Sequence, residues 1–177
     1  MRKITNTELG RPTLEEFVNQ EKTPVTVVLD NVRSAQNVGS FFRTGDAFAI
    51  EHIALCGITS TPPNREIHKT ALGAEESVAW SHYPTTAECV EHLRNEGYRI
   101  LAIEQVEGST MLGDFVPVEG EKYALVFGNE VEGVDQRVVD VTDGAIEIPQ
   151  VGTKHSLNVA VTGGVVLWHF FKGLTSN

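Results

Sequence analysis

The strongest constraint on this chain is the regular alternation of short β-branched runs with segments of helical period. Apolar runs fall near Val25–Leu29, His52–Cys56, Val78–Ser81, Arg99–Ile103, Tyr123–Phe127 and Ala145–Ile148, with helix-period segments between them. Alternation of this kind predicts the α/β class, a mostly parallel sheet flanked by helices. Thr13 with Glu16 and Thr85 with Glu88 form S/T-x-x-E capping boxes, and Gly97 stands where a glycine would close the second of these helices. Residues 1–24 read as a short helical extension and 25–177 as one domain, with no repeat, low-complexity tract or long linker.

A chain of 177 residues, 41% of them hydrophobic, is long enough to bury one core. Its two cysteines, Cys56 and Cys89, have no CxxC or Cys/His spacing, so no metal site or disulfide framework is expected. The N-terminus lacks the apolar run of a secretory signal, and the longest apolar stretch, Val161 to Phe171, is too short to span a bilayer. A cytoplasmic protein without a membrane partner is the expectation. The net charge of −10 opposes the usual nucleic-acid footprint. Any RNA site must therefore be local, drawn from Arg33, Arg43, Arg65, His68, Lys69, Lys154 and His155.

Which α/β chemistry this is turns on the loops. Neither GxxxxGK[ST] nor a glycine-rich turn after the first strand is present, which excludes a P-loop and the common dinucleotide site. Three other segments concentrate polar residues. In the first, Asn37-x-Gly39-x-x-x-Arg43, an amide and a guanidinium lie under two helical turns apart, near one end of the sheet, though a capped helix with a surface arginine reads the same way. In the second, the strand Leu125-Val126-Phe127 breaks into Gly128-Asn129-Glu130-Val131-Glu132-Gly133. Ligand crevices lie at such strand ends, and Gly128 lets a flat ring approach the backbone; an ordinary strand-to-helix turn is the alternative. In the third, Ile148-Pro149-Gln150-Val151-Gly152-Thr153-Lys154-His155-Ser156-Leu157-Asn158-Val159, Ser156 and Asn158 are candidate caps for the last helix, whose N-terminus welcomes a polar ligand.

Taken together and in this order, N-x-G-x-x-x-R (Asn37, Gly39, Arg43), F-G-x-E-x-x-G (Phe127, Gly128, Glu130, Gly133) and I-P-x-x-G-x-x-x-S-L-N-V (Ile148 to Val159) resemble the three motifs of the SpoU (TrmH-like) family of SPOUT RNA methyltransferases. The resemblance runs from about residue 25 to 171. It implies a C-terminal trefoil knot, an exception to the rule against threaded connections. It also implies transfer of a methyl group from S-adenosyl-L-methionine to a ribose 2′-hydroxyl of structured RNA. Gly128, Ile148, Leu157, Ile103 and Glu104 are the implied cofactor residues, and Arg43 the implied catalytic arginine, with Asn37, Glu130, Ser156 and Asn158 in the same machinery. A guanidinium keeps its proton to about pH 12, so Arg43 is expected to grip phosphate and hydroxyl rather than act as a base, with Asn37 and Glu130 holding it. Arg33, Arg65, Lys69 and Lys154 are the RNA-contact candidates, and His155 is read as a loop or RNA-contact residue rather than a nucleophile or base.

The last helix is apolar almost all round from Leu157 to Phe171, which a homodimer explains better than one core face. Thr162-Gly163-Gly164 departs from the small helix formers the family places there. With no separate RNA-binding domain in the sequence, the reading leans to tRNA over rRNA. The competing expectations are a catalytically silent SPOUT fold that binds RNA or assists ribosome assembly, and a small-molecule α/β enzyme, which the acidic charge would favour.

Overall fold

The structure, a computed structural model, describes residues 1–5 and 7–175. Seven strands form one sheet: β1 (Thr23–Asp30), β2 (Ile50–Cys56), β3 (Trp80–Tyr83), β4 (Tyr98–Ile103), β5 (Thr110–Met111), β6 (Lys122–Phe127) and β7 (Gly144–Glu147). Their spatial order is β3-β2-β1-β6-β4-β7-β5, and every pair is parallel. Parallel neighbours need crossovers, and helices supply most of them. These are α2 (Ala35–Ala47), α3 (Arg65–Ala71), α4 (Thr86–Asn95) and α5 (Gln136–Val139); α1 (Leu14–Asn19) precedes the sheet and α6 (Val159–Thr175) closes the chain.

Helices cover both faces, which is why β1 is buried along nearly all its length rather than at alternate positions. Val25, Val27 and Leu29 point into a core with Phe41, Phe42, Ile67, Val166 and Phe170. Val28 points the other way, among Cys89, Val90 and Leu93 of α4 and Val138 of α5. Helix α6 docks through aromatic contacts: Phe170 meets Tyr123 with ring centroids 5.1 Å apart and Phe115 at 5.4 Å. Gly163 is part of that docking, because a Cβ there would stand 2.3 Å from the Phe41 ring. The glycine that weakens the helix by roughly 1 kcal/mol is what lets α6 lie on α2.

Thr13 makes the full capping box with Glu16, and Thr85 caps α4 by accepting the Glu88 N–H. Gly97, at φ 84°, follows the C-cap of α4. The strand ends shift by one or two residues from expectation, β1 starting at Thr23 and β2 at Ile50, and two differences have a plain cause. β3 begins at Trp80 rather than Val78, because the Val78 N–H is taken by the Ala74 carbonyl in the preceding 3₁₀ turn. β5 was not expected at all; two residues are too short to carry a period, and only pairing with β7 defines it.

Candidate active site at the carboxyl edge of the sheet

In a parallel sheet all carboxyl ends lie on one side, so the loops after β1, β6, β4 and β7, four adjacent strands, are brought together there. Register makes the floor: Phe127 pairs with Ile103, and Ile103 pairs with Ile146, giving three buried apolar side chains side by side. Above them opens a cleft of about 520 Å³, within the range of small-molecule sites. All five expected cofactor residues, Ile103, Glu104, Gly128, Ile148 and Leu157, line it, as do Glu130, Ser156 and Asn158.

The loop after β6 is shaped by its glycines. The backbones of Asn129 and Gly133 exchange both N–H···O bonds at 2.9 Å, while Asn129 Oδ1 accepts from the Val131 and Glu132 N–H groups. A Cβ on Gly128 would lie 2.0 Å from the Gly133 carbonyl carbon, and Gly133 adopts φ 73° with the Glu104 carboxylate where its Cβ would be. That carboxylate is occupied: Oε2 accepts from the Val134 N–H and Oε1 from the Gln105 N–H. Glu104 thus builds the wall of the cleft.

The closed loop projects Glu130 toward the start of α2. Its Oε2 accepts from the Arg33 N–H, and its Oε1 from the Ser34 N–H and the Asn37 amide, all at 2.9 Å. Burial alone would raise this carboxyl, but the three donors outweigh it and hold it below the ordinary glutamate value. Asn37 Oδ1 in turn accepts from the Asn158 amide at 3.2 Å, and Asn158 Oδ1 caps α6 by accepting from the Ala160 and Val161 N–H groups. One polar chain therefore joins the three sequence segments. Asn158 takes the N-cap position; Ser156 lies two residues earlier, exposed, on the cleft wall.

Arg43 is the correction. It is expected near Asn37, held by Asn37 and Glu130, but Glu130 holds Asn37 and the Arg33 and Ser34 N–H groups ahead of α2, and Asn37 turns its oxygen to Asn158. Six residues are about 600° of helix, which turns Arg43 some 120° away from Asn37 and roughly 9 Å along the axis. Arg43 is exposed outside the cleft lining, and its guanidinium makes no hydrogen bond or close ion pair among the described residues. Among the RNA candidates, Arg33, Arg65 and Lys154 are exposed; Lys69 pairs with Glu66 at 2.8 Å and His68 with Glu75 at 2.5 Å. His155 lines the cleft, and its carbonyl accepts from Gln105 Nε2.

The sequence reading missed Gln105, Asn129, Gln150 and Thr162 as lining residues. Gln105 was within reach of the strand-end rule, since it lies two residues past the carboxyl end of β4. Asn129 also ties the loop to the turn after β1 by donating to the Asn31 carbonyl at 2.8 Å, a contact between residues 98 apart that no local pattern announces.

Apolar floor, glycine-bounded backbone, half-buried Ile148, exposed Leu157 and acidic flanks suit a ligand that joins a flat aromatic ring to cationic groups. S-adenosylmethionine has both. This is the site of a methyltransferase that uses that cofactor.

Residues 24–168 match the SpoU rRNA Methylase family. The chain is 31% identical over 163 residues to a tRNA (guanosine(18)-2′-O)-methyltransferase of Thermus thermophilus, covering 92% of this chain and 81% of the relative. Among solved structures, the A. aeolicus TrmH/SpoU tRNA modifying enzyme superposes with a TM-score of 0.79 at 24% identity, over 90% of this chain and 80% of that one. An AdoMet-bound rRNA methyltransferase from Sinorhizobium meliloti superposes with a TM-score of 0.80 at 25% identity, over 90% and 61%. The chain belongs to the SpoU rRNA methylase family. It is an RNA 2′-O-methyltransferase with S-adenosylmethionine as methyl donor, and the catalytically silent alternative is not favoured. No helix among the described residues is long and apolar enough to cross a membrane.

Proposed function

We propose that this chain methylates a ribose 2′-hydroxyl in tRNA, acting in the cytoplasm as a homodimer with the C-terminal segment threaded as the family's trefoil. The observation that carries the reading is the polar chain Glu130–Asn37–Asn158, which joins the wall of the cofactor cleft to the helix bearing Arg43. The likeness to a tRNA-modifying relative over 92% of the chain favours tRNA over rRNA.

The cofactor supplies an electrophilic methyl group on a sulfonium. The chain's own residues align the acceptor and exclude water. Gly128, Ile148 and Leu157 seat the flat ring, and Ile103 forms the floor. Glu104 and Glu130 shape the loops; Asn37 and Asn158 fix the start of α2 against the start of α6. Ser156 stands on the wall where the ribose enters. Arg43, free on the surface of α2, takes the RNA phosphate and the hydroxyl with its planar fork. Arg33, Arg65, Lys69 and Lys154 hold the backbone outside the cleft.

Exposed apolar side chains support the dimer. Val161, Val165 and Trp168 form a stripe at helical spacing along the outer side of α6, and each is more than 40% exposed in the single chain. The test of function is transfer of labelled methyl from S-adenosylmethionine to total RNA from a strain lacking the gene, followed by nuclease mapping. Label in a 2′-O-methylated tRNA nucleotide is expected. Label confined to rRNA overturns the choice of tRNA, and intact cofactor binding with no label in any RNA overturns methyl transfer to RNA by this chain alone.

A further inference from the structure

Asp30, the last residue of β1, carries a buried carboxyl group to which the reaction gives no part: it is 2% exposed and lies outside the cleft lining. A buried carboxylate needs donors, and this one draws them from three separate places. Oδ1 accepts from the Thr86 hydroxyl at 2.5 Å, at the start of α4, and from the Asn31 amide at 2.9 Å. Oδ2 accepts from the Asp135 N–H at 2.9 Å, at the N-cap of α5. Thr86 alone would make Asp30 an anchor for α4. The other two donors belong to the loops that shape the cofactor cleft.

Strand order makes the connection, because β6 lies between β1 and β4. As the chain leaves the loop after β6, successive N–H groups go to the strands on either side. Val134 donates to Glu104 Oε2, just past β4, at 3.0 Å, and Asp135 donates to Asp30 on β1. Two carboxylates thus clamp the exit of this loop. The exit presses on the cleft, since a Cβ on Gly128 would stand 2.1 Å from the Val134 nitrogen. The entry of the loop is held through Asn31, which adopts the left-handed φ of 53°. Its Oδ1 accepts from the Ile58 N–H at 3.1 Å, its Nδ2 donates to Asp30, and its carbonyl accepts from Asn129, the residue between Gly128 and Glu130. Asp30 therefore holds both ends of residues 129–135.

We infer that Asp30 is a positioning residue for S-adenosylmethionine: its carboxylate, reaching the loop directly at Asp135 and through Asn31 at Asn129, fixes the Gly128 backbone under the cofactor's flat ring. The inference rests on the proposed seat of that ring and not on the choice of RNA. An amide cannot take the place of this carboxylate. With its nitrogen at the Oδ2 position it would confront the Asp135 N–H. With its nitrogen at the Oδ1 position it would confront the Asn31 amide, which cannot turn over because its oxygen is taken by the Ile58 N–H. One tether is lost either way, at the cost of an unsatisfied buried donor.

The test compares Asp30→Asn with Thr86→Val, which removes the anchor to α4 and leaves both loop tethers in place. Urea melts are expected to show both variants less stable than the wild-type chain. Calorimetric titration with S-adenosylmethionine is expected to separate them, with the Kd of Asp30→Asn raised at least tenfold and that of Thr86→Val within twofold of wild type. A variant that is only less stable binds with wild-type affinity while it is mostly folded, so lost stability by itself does not produce this difference. In the transfer assay the cofactor KM of Asp30→Asn is expected to rise in step with its Kd while kcat stays within threefold. Wild-type cofactor affinity in Asp30→Asn, or equal weakening in Thr86→Val, overturns the inference and leaves the reading of the cleft standing; a wild-type chain that binds no cofactor overturns both. Should Asp30→Asn not fold, Asn31→Gly keeps the left-handed turn and loses the amide tether. It is expected to bind the cofactor about fivefold more weakly, and wild-type affinity there overturns the inference as well.

Discussion

At the scale of single residues, Arg43 and Glu130 have opposite characters. Arg43 is exposed and unpaired, so its replacement leaves the fold alone. Arg43→Lys keeps the charge but loses the planar pair of donors, and methyl transfer is expected to fall on the order of a hundredfold or more. Cofactor affinity, measured by calorimetry, is expected to be unchanged, and wild-type turnover would remove Arg43 from the catalytic machinery. Glu130 is tied at every turn, and folding depresses its pKa below the ordinary value. A carboxyl depressed in this way stabilises the folded loop fully above its unfolded pKa and loses that contribution as pH falls through the folded one. Cofactor affinity is therefore expected to hold from neutral pH down to the ordinary carboxylate range and to decline below it, with Glu130→Gln weaker throughout and lacking the decline. A calorimetric pH series on both proteins checks this.

At the scale of elements, the contact between α2 and α3 is set by one missing side chain. A Cβ on Gly39 would stand 2.1 Å from Thr70 Oγ1 and 2.3 Å from the Ile67 carbonyl oxygen, and the latter is backbone that cannot swing aside. The glycine of the N-x-G-x-x-x-R segment thus serves packing and not the ligand. Gly39→Ala is expected to destabilise by about 1–3 kcal/mol, the usual cost of overpacking, whereas Gly113→Ala, with nothing within 4 Å of its Cβ, stays within about 0.5 kcal/mol. Urea melts of the two variants decide it, and equal midpoints would mean that α3 yields freely. The same logic separates the third segment's two polar residues: Asn158 both caps α6 and reaches Asn37, while the exposed Ser156 is left to the cleft.

At the scale of the molecule, α6 carries more apolar surface than its own core uses. Val166, Leu167 and Phe170 are buried, whereas Val165 and Trp168 remain 42% and 53% exposed. A protein with net charge −10 resists non-specific association, so a stripe of this kind calls for a matched surface, and a second copy presents the same one by two-fold symmetry. Sedimentation equilibrium is expected to give twice the 19.4 kDa chain mass, and the double substitution Val165→Asp, Trp168→Asp the chain mass itself. A monomeric wild-type chain would reject the dimer.

The sequence by itself determined the class of fold and the identity of the cleft. Period and β-branching marked six strands because a doubly covered parallel sheet demands continuous apolar runs, and the strand-end rule marked Gly128 and Glu130 as candidate site residues because parallel pairing puts all carboxyl ends together, whereas Ile148 came only with the family resemblance. What only the tertiary structure decided was who meets whom. That Glu130 serves the backbone of residues 33 and 34 rather than Arg43, that Asn129 reaches Asn31, and that Gly39 and Gly163 are spacers depend on contacts between residues far apart in the chain. Local propensity carries no information about such pairs; helical phase and strand order fix them once the sheet has formed.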